Sequence, residues 1–89
     1  MGFQSFASEN FWRLYSELPL EVQRLADKQY QLFRTNPFHP SLHLKQVGEA
    51  WTVRIGRRHR AIGYREGHIF HWGWIGSHEA YNKMLGRAK

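Results

Sequence analysis

Residues 51–77 read WTVRIGRRHRAIGYREGHIFHWGWIGS, and their periodicity decides the fold. Trp51, Val53 and Ile55 alternate with Thr52 and Arg54, which gives one apolar and one polar face, the pattern of a half-buried strand. Gly56-Arg57-Arg58 predicts a short basic hairpin loop, His59 to Arg65 a second strand, Glu66-Gly67 a tight turn, and His68 to Ile75 a further strand. Connections this short force antiparallel pairing. If Trp51, Val53 and Ile55 face a helical layer, Arg54 points away from it. A three-residue loop at 56–58 then sets Arg60 directly across from Arg54 on the same face. Like charges so opposed cost roughly a few tenths of a kcal/mol without a counter-charge. A sheet that keeps such a pair is expected to hold an anion with it.

Working outward, Leu42, Leu44 and Gln46 alternate with His43, Lys45 and Val47, a strand that Gly48-Glu49 turns back into Trp51. Further upstream the period lengthens. Phe11, Leu14, Tyr15 and Leu18 fall on one face of a short helix that Leu18-Pro19 breaks. Pro19 suits the first turn of a second helix, where Glu21 complements the dipole. That helix carries Val22, Leu25, Ala26, Gln29 and Phe33 inward and stops at Asn36-Pro37. The aromatic stripe of this pair reads as core. Downstream, Gly76-Ser77 ends the sheet, and Ser77 is the N-cap of a last helix bearing Tyr81, Met84 and Leu85. The expected architecture is a single α+β domain over 1–89: an N-terminal αα-hairpin packed on a four-stranded antiparallel sheet, with a short C-terminal helix. Residues 1–7 are expected to be a flexible lead-in.

Composition narrows the class. The 89 residues contain no cysteine, which excludes a disulfide scaffold, and 42% are hydrophobic, which excludes disorder as the overall state. No apolar run is long enough to span a membrane, and the first residues lack the basic start and apolar run of a secretory signal, so a soluble cytoplasmic protein without membrane association is expected. Charge is unevenly spread. Residues 1–44 hold four basic and four acidic side chains, whereas residues 45–89 hold nine basic and three acidic, so the whole net charge of +6 lies in the second half. A concentrated excess of this kind favours a polyanionic partner, nucleic acid or an acidic protein. His39 and His43 flank Pro40 with no third ligand in view, so neither a metal nor another cofactor is expected.

The segments LPLEVQRLADKQYQLFRTNPFHPSLHLKQV, WTVRIGRRHRAIGY and WIGSHEAYNKML together resemble the toxins of the RelE/ParE superfamily of toxin–antitoxin modules. The NP-x-HPSL segment with its following lysine, and the G-S-H-x-x-Y ending, point to the RelE/HigB-like branch. Members of the RelE branch cut messenger RNA, usually on the ribosome, while ParE relatives share the fold and poison DNA gyrase. The resemblance therefore implies a metal-independent endoribonuclease, or else a gyrase-directed toxin or a non-cutting nucleic-acid-binding relative. It also implies a cognate antitoxin, acidic or amphipathic, and a toxin–antitoxin complex of higher order.

Cleaving RNA without a metal requires a deprotonated 2′-hydroxyl, stabilisation of the extra charge on the phosphorane, and a proton for the 5′-oxygen, and it leaves a 2′,3′-cyclic phosphate. Arginine suits the second task, since its planar fork matches phosphate oxygens and keeps its charge. Within the resemblance, Arg60 in HRAIGY corresponds to the phosphate-binding arginine. Lys45 corresponds to the basic strand residue after HPSL, as a phosphate ligand or proton shuttle. His78 stands where relatives keep an arginine or histidine acid, and Tyr81 is placed to stack on a base or assist the 2′-hydroxyl. Arg54, Arg57, Arg58 and His71 are the remaining candidates for RNA or phosphate binding. Each has a plainer alternative: Tyr81 as the inner face of its helix, His78 as a solvated helix start, Lys45 as an edge-strand charge. The general base stays open.

Overall fold

Ser8 starts the first helix, its hydroxyl accepting from the Phe11 N–H at 3.1 Å. The computed structural model describes residues 3–87. Helix α1 (Glu9–Ser16) ends just before the Leu18-Pro19 break, and α2 (Leu20–Thr35) is flanked by Pro19 and Asn36 as its caps. A single 3-10 turn, Pro40–Leu42, leads into β2 (Lys45–Val47), β3 (Ala50–Ile55), β4 (His59–Glu66) and β5 (Ile69–Ser77). Helix α3 (His78–Arg87) follows without a break. The Ser77 hydroxyl accepts from the Ala80 N–H at 3.1 Å, the N-cap expected of it.

The sheet departs from expectation at one edge. Residues 4–7, expected to be part of a lead-in, form a strand, β1 (Gln4–Ala7), which runs parallel to β5. The sheet therefore has five strands in the order β1-β5-β4-β3-β2 and is mixed, not four-stranded and antiparallel. Without β1, the apolar β5 would be an edge with a row of unpaired backbone groups. At the other edge, only Lys45–Val47 of the expected 42–47 strand pairs with β3. Leu42 is fully buried in the 3-10 turn, and His43 adopts a left-handed φ of 46°, which breaks the alternation read from the sequence.

The β3–β4 hairpin has the expected register, with Arg54 opposite Arg60 across the loop. Gly56 in that loop has φ +63°, and a Cβ there would stand 2.9 Å from Leu25 Cδ1, so a glycine suits the position on both counts. Between β4 and β5 the register slips at Ile62/Gly63, where Gly73 is the extra residue of a bulge. Beyond this bulge the faces of β5 exchange parity. Phe70 and Trp72 lie on the same side as Ile75 and form the core with Val53, Ile55 and Ala61.

Both N-terminal helices cover that side: α2 contributes Val22, Ala26 and Phe33 to the core, and α1 packs the half-buried Phe11, Leu14 and Tyr15 against it. They splay rather than pack closely. Leu25, expected inward, is 41% exposed. A cavity of about 300 Å³ lies between α1, α2 and β1, bounded by Trp12, Tyr15, Asp27 and Tyr30. Tyr15 bridges it by donating to Asp27 at 2.7 Å, a bond that raises the phenol's pKa. In α3, Tyr81 is buried whereas Met84 is exposed, and the Leu85 side chain lies outside the described residues. No helix among the described residues is long and apolar enough to cross a membrane.

Candidate functional site

The face of the sheet turned away from α1 and α2 carries, by strand parity and register, Lys45 on β2, Thr52 and Arg54 on β3, Arg60, Ile62 and Tyr64 on β4, and His71, Trp74 and Gly76 on β5. One end of this face is covered by the first turn of α3. Arg60 sits between Arg54 and Gly76 in register, with a like charge on one side and no side chain on the other. Above it lies the buried ring of Tyr81, 5.1 Å from the guanidinium carbon. A π-face attracts the cation by about 0.5–2 kcal/mol but accepts no hydrogen bond of ordinary strength. Nε and Nη1 of Arg60 are accordingly buried with no partner among the described residues, and so is the nearby Thr52 hydroxyl. Buried donors left without acceptors cost roughly 1–3 kcal/mol each, so this arrangement is one the fold tolerates rather than gains from.

Arg54 is held differently. Its Nε donates to the Gly56 carbonyl at 3.0 Å, and its Nη1 lies 3.3 Å from His43 Nε2. The Gln29 amide in turn donates to the Arg54 carbonyl at 2.9 Å, tying β3 to α2. His78 stacks on Tyr81 at 5.9 Å between ring centroids, with planes 20° apart. Its backbone N–H bonds the Arg58 carbonyl at 2.6 Å, which clamps the start of α3 to the hairpin loop. Arg60, Tyr81 and His78 thus form one continuous stack. Lys45 shares the face but is exposed and stands at the β2 end of the Thr52–Ile62 row, with no side-chain hydrogen-bond partner among the described residues.

Arg57, Arg58, His59, Ser77, His78 and Glu79 line an open cleft of about 560 Å³ at the strand ends, beside the stack. His71 is not part of this assembly. It lies at the far end of the face, opposite Tyr64, with its Nε2 3.3 Å from a Glu66 carboxylate oxygen. Of the two histidines near Pro40, the His39 Nδ1 accepts from the Ser41 N–H at 3.1 Å, and His43 faces Arg54. Sequence reasoning missed three members of the site. Gly76 lacks the side chain that would crowd Trp74, a Cβ there standing 2.6 Å from the indole. Alternation set Thr52 on the face of Arg54 but gave it no role, and His59 gave no spacing signal.

Burial holds the His59 imidazole below its ordinary pKa. Its neutral form is the one the fold favours, so below about pH 6.5 the unfolded chain binds more protons than the native one. Its contribution to stability is therefore complete above that pH and is lost on acidification. His59→Gln is expected to flatten the pH dependence of the urea unfolding midpoint between about pH 7 and 5. An unchanged slope would assign that dependence to other groups.

The family model of the ParE-like toxin domain matches residues 20–83, from α2 into α3. No curated protein matches the chain. Among solved structures, the fold is similar to the RelB–RelE antitoxin–toxin complex of Methanococcus jannaschii, with a TM-score of 0.72 at 10% identity over 90% of this chain and 98% of that one. The E. coli toxin RelE, as a mutant in the free state, aligns with a TM-score of 0.67 at 13% identity over 98% of both chains. A YoeB/ParE toxin from Agrobacterium tumefaciens gives 0.65 at 13% identity, over 84% of this chain and 98% of that one. Identities this low carry the fold alone, whereas the family match spans most of the sequence. The chain belongs to the ParE-like toxin domain family and is a toxin of the RelE/ParE superfamily.

Proposed function

We propose that this toxin is a metal-independent endoribonuclease that cuts messenger RNA at the ribosome and so arrests translation. The observation that carries the reading is Arg60, a guanidinium with buried, unpartnered donors set directly across from a second arginine. A phosphodiester supplies both the counter-charge and the acceptors this pair lacks. Because Tyr81 covers those donors, the incoming phosphate displaces its ring, which is then free to stack on a base. The substrate's 2′-hydroxyl gives up its proton to solvent water, its oxygen attacks phosphorus, the P–O5′ bond breaks, and a 2′,3′-cyclic phosphate remains. Arg60 and Arg54 bind the charge that builds on the phosphorane, and the His78 imidazolium gives its proton to the 5′-oxygen. Lys45, on the same face, and Arg57 and Arg58, at the cleft, hold the flanking phosphates.

The RelB–RelE structures from Methanococcus jannaschii and Pyrococcus horikoshii contain an antitoxin with its toxin. By analogy, this chain is neutralised by an acidic or amphipathic antitoxin that complements its net charge of +6. The ParE name of the matching family favours one second reading, a toxin that binds DNA gyrase and cuts nothing. Primer extension on a translated message after induction separates the two. New 5′-ends within the coding region, absent when translation is blocked, are the expected result. Intact messages together with inhibited supercoiling by the purified protein would select the gyrase reading.

A further inference from the structure

At the end of the open sheet face remote from Arg60, Phe6, His71 and Tyr64 stand in one cross-strand row, both Phe6 and Tyr64 pairing with His71 in register. Their rings stack in rank: 6.1 Å and 26° between Phe6 and His71, 4.6 Å and 13° between Tyr64 and His71. The outer members are left in water, Phe6 57% and Tyr64 55% exposed. Neither ring has a further aromatic partner among the described residues. Beyond Phe6 the sheet ends, since β1 is its edge strand. Beside Tyr64, one step past the Trp51–Gly63 pair, the next β3 position is Ala50, whose methyl is too small to fill the space next to a phenol ring. The row therefore offers a flat aromatic surface at each end.

Its surroundings say what kind of partner fits. The same face carries Lys45, Arg54 and Arg60, and Tyr64 lies four residues along β4 from Arg60, about 13 Å at ordinary strand rise. Glu66, two residues past Tyr64 on β4, lies with a carboxylate oxygen 3.3 Å from the His71 Nε2. Aromatic rings beside a line of cations match a single-stranded polyanion whose bases present π-faces, and they match it without regard to sequence. An acidic amphipathic peptide would meet the cations, but successive bases offer the π-faces that continue a stacked row of rings.

Resting on the ribonuclease reading above, we infer that the Phe6–His71–Tyr64 row is a stacking platform for bases of the RNA strand that flanks the phosphate held at Arg60. The test is fluorescence anisotropy with a labelled 2′-O-methyl oligouridylate of about ten nucleotides, which lacks the attacking hydroxyl, and with an abasic strand of equal length and charge. The intact protein is expected to bind the base-bearing strand about tenfold more tightly than the abasic one. In a Phe6→Leu/Tyr64→Leu double variant, which keeps apolar bulk and removes the rings, that preference is expected to vanish while the affinity for the abasic strand is retained. If the intact protein binds both strands equally, or the double variant keeps the preference, the platform is overturned. If it binds neither strand, the RNA reading itself fails, and the platform with it.

Discussion

Replacing Arg60 by methionine is expected to abolish growth arrest and message cleavage while leaving the protein folded and slightly more stable. Two arguments meet in this residue. A positioned donor aimed at developing charge is worth about 10²–10³ in rate, and Arg60 is the group whose donors no described residue occupies. The same lack of partners means that the folded state loses little with the guanidinium. An apolar side chain of similar length still packs under Tyr81 and no longer leaves buried N–H groups unmet, so the unfolding free energy is expected to rise by about 1 kcal/mol. Arg60→Lys keeps the charge and loses the planar fork, and should recover only a small part of the cleavage. Urea titrations beside primer extension read both effects. A variant that loses activity and stability together would make Arg60 a structural residue.

The largest loss of stability is expected from Phe70→Ala. Phe70 is fully buried at the centre of an aromatic cluster, edge-on to Phe3 and Phe33 at 5.1 Å and to Trp51 at 5.6 Å, and stacked on Trp72 at 5.6 Å. The Arg65 guanidinium closes one side, 5.6 Å from its ring. Removing a ring from such a site costs about 3–5 kcal/mol in transfer free energy and cavity. A domain of this length has roughly 4–13 kcal/mol in all. The variant is therefore expected to be partly unfolded at 37 °C and to shift the urea midpoint further than any substitution on the open face. A midpoint within error of the wild type would mean that the cluster is not the core.

Several of these features were legible in the chain. Alternation over Trp51–Ile55, with a three-residue loop, was enough to set Arg54 against Arg60, because strand parity and hairpin length leave no freedom. The Leu18-Pro19 break and the Ser77 cap are local chemistry and were readable as such. β1 was not, since a four-residue parallel edge strand has neither a hairpin turn nor enough length to show a period. His71 could not be assigned a face for a sharper reason. Counting back from Ile75 by twos puts it on the core side, and only the bulge at Gly73 turns it outward. The exposed rank it forms with Phe6 and Tyr64 depends on β1 as well, so two illegible features hid one surface. The burial of Tyr81 over Arg60 arises from the docking of α3, which no spacing encodes.

The most direct measurement is a heteronuclear NMR titration of the arginine Nε–H signals with the non-cleavable oligouridylate. The Arg60 Nε–H, buried and without an acceptor in the free protein, should shift on addition of RNA and become slower to exchange, as a phosphate oxygen takes up the bond. A protein that binds the strand and still arrests translation, yet leaves that resonance where it was, would contradict the account.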